Sequence, residues 1–165
     1  MHVTLNIWIS SLIFLVGSVA ATSTCTVNVD ASTFSEEYSF IKKWGTHGDA
    51  DNQFEEPTGI GIDASNDVYV SETDFENCCN LVHHRIIKFT NDGTFITKWG
   101  GNLQFENPMG IAFDSLGNVY VVDQGHQLVK KFTNDGSNLI TSWSSGFNPM
   151  DIAIDSMDNV YVTEM

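Results

Sequence analysis

Residues 54–63 read Phe-Glu-Glu-Pro-Thr-Gly-Ile-Gly-Ile-Asp, and they open a pattern that the chain uses three times. After Asp63 come Asn66-Asp67-Val68-Tyr69-Val70, Arg85-Ile86-Ile87-Lys88-Phe89, Asn91-Asp92-Gly93 and Phe95-Ile96-Thr97-Lys98-Trp99-Gly100. The second copy starts at Phe105 and runs through Pro108, Gly110-Ile111-Ala112-Phe113-Asp114, Gly117-Asn118-Val119-Tyr120-Val121, Leu128-Val129-Lys130-Lys131-Phe132, Asn134-Asp135-Gly136 and Leu139 to Trp143. The third gives Phe147-Asn148-Pro149, Ile152-Ala153-Ile154-Asp155 and Asp158-Asn159-Val160-Tyr161-Val162. A period of roughly 40–50 residues, made of short alternating segments without helical spacing, marks an array of β-propeller blades.

Each copy is physically consistent with that reading. Ile60 and Ile62, Ile111 and Phe113, and Ile152 and Ile154 alternate with Gly61, Ala112 and Ala153, the period of two expected of a strand. The small residues suit a crowded innermost strand where neighbouring blades converge. Valines flanking Tyr69, Tyr120 and Tyr161 supply a β-branched and aromatic second strand. Asn66, Gly117 and Asp158 share one repeat position, and all three types enter the left-handed region, so a tight turn with positive φ is specified there. The two Asn-Asp-Gly runs predict hairpins between third and fourth strands. Pro57, Pro108 and Pro149 give spacings of 51 and then 41 residues. The excess lies between Val70 and Arg85 and predicts a long loop on one face of the first blade.

The flanks and the bulk composition set the context. Residues 3–21 are an apolar run ending in Ala20 and Ala21, which reads as a signal peptide or an N-terminal anchor over 1–21, followed by a polar linker over 22–38. Either reading exports the rest of the chain and makes the protein secreted or extracytoplasmic; membrane contact is expected only through residues 3–21 if they stay uncleaved. Export places Cys25, Cys78 and Cys79 in an oxidising compartment, where an odd number leaves at least one thiol to pair elsewhere or stay free. Seven Lys plus Arg against 21 Asp plus Glu give a net charge of −14, which repels phosphate backbones and argues against nucleic acid.

The motifs resemble the NHL repeat family. Pro108-Met109-Gly110-Ile111-Ala112-Phe113-Asp114 followed by Gly117-Asn118-Val119-Tyr120-Val121-Val122-Asp123 is similar to its blade signature almost letter for letter. The resemblance extends from about Phe40 to Met165. Departures are His83-His84-Arg85 and His126-Gln127-Leu128, where the family often has Asn-Asn-Arg, and Glu72 and Glu164 in place of Asp. It implies an all-β chain, a partial β-propeller of four-stranded antiparallel blades over 39–165, with blades at 58–100 and 109–144 and a partial blade at 150–165. Phe40-Ile41-Lys42-Lys43-Trp44-Gly45 matches Phe95 to Gly100 and is expected as one orphan outer strand. About two and a half blades plus that strand are short of a six-bladed ring, so a fragment is expected, with self-association of an open array as the lesser alternative.

Candidate chemistry is sparse. Cys78, Cys79, His83 and His84 gather soft and borderline ligands, but their spacing is not that of a structural zinc site, and a polar hairpin loop explains them better. Asp49, Asp51, Asn52, Glu55 and Glu56 offer oxygens for calcium, without a Gly at the bend, and read as a solvated acidic loop. Asp63, Asp114 and Asp155 recur, as do Trp44, Trp99 and Trp143; recurrence points to turn bonds and packing rather than catalysis. No catalytic, cofactor-binding or metal residue is assigned, and no cofactor. The expectation is a non-enzymatic propeller binding a protein, peptide or surface ligand through its loop face. The alternative is a metal-dependent enzyme resembling peptide-amidating lyase, to which only Arg85 and the insertion histidines could contribute.

Overall fold

The computed structural model describes residues 40–73, 84–101 and 103–165, and among them every regular element is a strand. The expected signal and linker, Cys25, Cys78, Cys79 and His83 lie outside the described residues. Two residues of β1 (Thr46–His47) pair in parallel with β2 (Gln53–Phe54). Blade 1 then comprises β3 (Glu56–Ile62), β4 (Val68–Thr73), β5 (Arg85–Phe89) and β6 (Phe95–Gly100), in that spatial order. Blade 2 repeats the meander with β7 (Pro108–Phe113), β8 (Val119–Asp123), β9 (Leu128–Phe132) and β10 (Leu139–Ser144). A third sheet pairs β11 (Pro149–Ile154) with β12 (Val160–Glu164). All pairings within these three sheets are antiparallel. The four-stranded blades and the partial propeller are as the repeats predict.

The turn chemistry is also as predicted. Asn66, Gly117 and Asp158 have φ of 66°, 80° and 62°, and Gly93 and Gly136 close their hairpins at 88° and 71°. Two expectations need correction. Residues 40–45 form no strand. Their counterparts in β6 and β10 lie along the third strands β5 and β9 of their own blades, and residues 40–45 pair with neither. Trp44 instead packs on Phe89, with ring centroids 6.5 Å apart. The insertion is also shorter than expected, because Ser71, Glu72 and Thr73 continue β4.

Alternate residues of each strand face opposite neighbours, so the core is a series of layers between sheets. Tyr69 and Ile86 of blade 1 meet Phe105, Ile111, Val119, Val121 and Phe132 of blade 2. Ala112, Tyr120, Val122 and Val129 meet Ile152 of the third sheet. On the other side of blade 1, Val68, Val70, Ile87 and Phe89 are covered by Trp44, Phe54 and Phe95. Ile111 is 6% exposed, whereas its blade 1 counterpart Ile60 is 68% exposed. Burying such a side chain contributes about 1.5–3 kcal/mol, so the inter-blade layers, not the open flank, hold the array together.

Candidate functional site

Strand register sorts the loops onto two ends of the sheets. Ile62 pairs with Val68, Val68 with Phe89, and Phe89 with Phe95, which gathers the tight turns and Asn-Asp-Gly hairpins at one end. Pro57 pairs with Glu72, Glu72 with Arg85, and Arg85 with Gly100, which gathers the inter-blade loops, the end of β4 and the start of β5 at the other.

At the tight-turn end, each recurring aspartate folds its own turn. Asp63 Oδ1 accepts from the amides of Ser65 and Asp67, both at 2.9 Å; Asp114 and Asp155 do the same for Leu116 and Asn118, and for Met157 and Asn159. Their second oxygens accept from Tyr69, Tyr120 and Tyr161 at 3.1, 3.2 and 3.0 Å. The third strand then brings a lysine: Lys88 Nζ lies 3.4 Å from Asp63, and Lys131 Nζ 2.8 Å from Asp114. Burial works to raise the Asp114 carboxyl, but Lys131 and Asn118 outweigh it and hold it at about 2. The same contest leaves Asp63 lowered, through the Asp67 amide, Asn134, Tyr69 and the Ser65 amide. Burial beside that carboxylate pushes the Tyr69 phenol up to about 12. Asn134, from the blade 2 hairpin, completes the blade 1 set by donating to Asp63 and accepting from Lys88 and Tyr69.

At the loop end, a carboxylate closing the second strand anchors the segment that enters the blade. Glu72, with no exposed surface, accepts from the Glu55 amide and from Arg85 Nε at 2.5 Å. Arg85 also donates to the carbonyls of Asp49 and Gln53. In blade 2, Asp123 accepts from the Glu106 amide at 2.7 Å, and Lys130 Nζ stands 2.6 Å away and donates to the Gln104 carbonyl. His126 Nδ1 adds a contact to Asp123 at 2.7 Å. These latches tie the loops down through charge-assisted bonds in low dielectric.

Of the residues singled out by sequence, His84 is buried in blade 1, with Nδ1 3.2 Å from Thr73 Oγ1, which itself donates to Asn107 Oδ1. The acidic loop is dispersed: Asp51 pairs with Lys98 at 2.8 Å and Glu55 with His47 at 3.0 Å. Among the described residues no group of three His, Cys, Asp or Glu is placed to hold a metal ion. Trp44 and Trp99 pack beneath the hairpin glycines Gly93 and Gly136 of the next blade along the chain, so the recurring tryptophans are packing groups. The carboxylate latches escaped sequence reading, although the carboxylate after each Val-Tyr-Val run was a visible signal. Blade 1 also carries an apolar groove of about 410 Å3 lined by Trp44, Phe54, Pro57, Ile60 and Val70.

No family model matches the chain. It is 25% identical over 122 residues to human NHL repeat-containing protein 3, covering 70% of this chain and 34% of that protein. The mouse protein of the same name is 24% identical over 101 residues, covering 58% of this chain and 27% of its own length. The chain thus spans about a third of the length of the curated relatives it matches. A solved structure assigned as a gluconolactonase superposes with a TM-score of 0.51 at 13% identity, covering 67% of this chain and 42% of that one, and speaks for the fold alone. A streptogramin B lyase superposes at 0.46 and 17% identity, covering 66% and 40%.

Proposed function

We propose that this chain, a run of NHL-type propeller blades, serves as an exported, non-enzymatic scaffold that binds protein or peptide through its loop end. One observation carries the reading: the repeated charged groups at that end are spent on holding the backbone. Glu72 and Asp123 are buried against Arg85 and Lys130, which also hold loop carbonyls. Groups so paired are poor proton donors or acceptors for a substrate, and they make a rigid frame for exposed loops. The rim outside the latches is acidic, with Asp51, Glu56 and Glu106 exposed, and suits a basic partner segment. Export rests on the apolar run at residues 3–21.

An oligolysine peptide is the probe. Binding at low salt is expected to weaken about tenfold in the Glu56→Lys, Glu106→Lys double variant and to fade as ionic strength rises. Indifference to the charge reversal overturns the loop-end assignment. Stoichiometric zinc in the purified full chain, with turnover of a hydroxyglycine-ended peptide, rejects the scaffold in favour of the lyase-type enzyme. Recovery of the protein from the medium with an N-terminus near Thr22 tests export.

A further inference from the structure

Glu55 and Glu106 occupy one repeat position at the loop end, directly after Phe54 and Phe105, and each faces a histidine ring. For Glu55 the ring is His47, from the loop before it, with Nε2 3.0 Å from Oε2. For Glu106 it is His126, from the turn between β8 and β9, with Nε2 3.8 Å from Oε2. The two histidines come from different places in the repeat, so the pairing is not a by-product of the strand template.

The second pair is held in place by its own turn. The Gly125 amide donates to the Glu106 carbonyl at 2.7 Å, and a Cβ on Gly125 would sit 2.4 Å from Glu106 Cγ, so a side chain there would push the turn off that residue. Gln127, at a φ of 57°, closes the turn by donating its amide to the Gln124 carbonyl. Asp123 then fixes the imidazole. Its carboxylate is fully buried and accepts only, so the 2.7 Å contact puts a proton on His126 Nδ1. The neutral ring therefore turns the Nε2 lone pair toward Glu106, and two acceptors make no bond. A second proton goes to Nε2 and converts the same contact into a charge-assisted hydrogen bond. Among the described residues the charged groups facing the ring are Asp123, Glu106 and Lys130. Lys130 Nζ lies 3.5 Å from Nδ1 and is itself held by Asp123 at 2.6 Å and by the Gln104 carbonyl.

We propose that His126 is a proton switch on the loop-end rim. Neutral, it leaves the Glu106 carboxylate to a basic partner segment; protonated, it takes that carboxylate for itself and the segment is released. The Glu106 side chain is more than half exposed and is open to either partner. Imidazole changes charge between about pH 5 and 8, so the rim holds its partner at neutral pH and lets go in an acidified medium. Linkage gives the converse: binding of the segment expels the proton, because the two cations compete for one carboxylate. The ligand in this inference rests on the loop-end reading, whereas the switch depends on the two side chains alone.

Two measurements on the full chain keep those parts distinct. Lysine stays charged and ordinary carboxylates stay ionised between pH 7.5 and 5.5, so a change in oligolysine affinity across that range reports imidazole. At low ionic strength the affinity should fall about fivefold from pH 7.5 to 5.5, and His126→Gln should cut the loss to about twofold, the remainder coming from His47 beside Glu55. In urea unfolding without ligand, the double-mutant cycle of His126→Gln and Glu106→Gln should show a coupling of about threefold in the unfolding constant at pH 5.5 and none at pH 7.5. Coupling that is equal at the two pH values, or absent at both, overturns the switch. So does a pH response of binding that His126→Gln leaves unchanged. Absence of oligolysine binding at pH 7.5 strikes the loop-end reading, and the release of a basic segment with it, while the cycle still decides whether His126 takes Glu106.

Discussion

Blades 1 and 2 follow one strand template, yet each holds its neighbour and its entering loop by different chemistry. Where blade 1 meets blade 2, Thr58 Oγ1 donates to the Pro108 carbonyl and Ser71 Oγ to that of Met109, both at 2.6 Å, while Asn134 bridges the Asp63 set. Where blade 2 meets the third sheet, Met109 and Val122 replace those hydroxyls in an apolar layer with Ile152, and the polar bonds move to the turn, where the Ser115 amide and Oγ donate to Asp158. The shared requirement is space. A Cβ on Gly59 would sit 2.2 Å from the Met109 carbonyl oxygen, and one on Gly110 would sit 2.8 Å from Asp151 Cα. Close approach is therefore fixed by the template, whereas the chemistry that seals the approach is free to vary.

The latches carry the largest expected difference between the blades. Arg85→Met leaves Glu72 buried without its cation and should cost about 3–5 kcal/mol in urea unfolding. Lys130→Met should cost less, about 1–3 kcal/mol, because the partly exposed His126 remains 2.7 Å from Asp123 and supplies a donor. Equal losses would show that His126 does nothing for its carboxylate. The next effect is steric. Gly59→Ala should lose about 1–3 kcal/mol, since a backbone carbonyl blocks the new methyl. Gly101→Ala is the control: its φ of 116° strains the backbone, but nothing lies within 4 Å of the added Cβ. Because Gly59 has no positive φ, a negligible loss there would show that the Met109 carbonyl gives way to the methyl.

The fold was legible because its signals are local and repeated. Two-residue alternation, Asn-Asp-Gly hairpins and the Asn66, Gly117 and Asp158 turns each depend on a few adjacent residues, and each is found in place. The Phe40 to Gly45 strand misled because β6 is a strand through its pairing with β5, and similarity to the sequence of β6 does not carry that partner along. The latches were hidden for a related reason. Arg85 opens β5, but Lys130 is the third residue of β9, and the position equivalent to Arg85 is Leu128. Alignment of the copies therefore splits a shared function between two columns, which only the geometry reunites. Asn134 was read as a turn residue, and its bridge to Asp63 spans 71 positions that no local pattern records.

The smallest effect concerns pH, and it too separates the blades. Asp114 titrates at about 2 against an ordinary value of 3.8, with Lys131 and Asn118 favouring the carboxylate. A folded-state value below the unfolded one means that stability is fully present above about pH 4 and is lost as pH falls toward 2. Lys131 is shifted the other way, upward through its bonds to Asp114 and Tyr120, so its contribution is present below the ordinary lysine value and is lost as pH rises through the folded one. Asp114→Asn should thus flatten the acid limb of an unfolding series between pH 4 and 2 while keeping the turn, because the amide oxygen still accepts from Leu116 and Asn118. Asp63→Asn should flatten the same limb, and it should also loosen Asn134, whose amide donates to that carboxylate. Hydrogen exchange in the hairpin around Asn134 should therefore quicken in the Asp63 variant and not in the Asp114 variant. The opposite result would mean that the blade 1 set folds only its own turn, as Asp114 does, and that the Thr58 and Ser71 hydroxyl bonds and the apolar layer join the two blades without it.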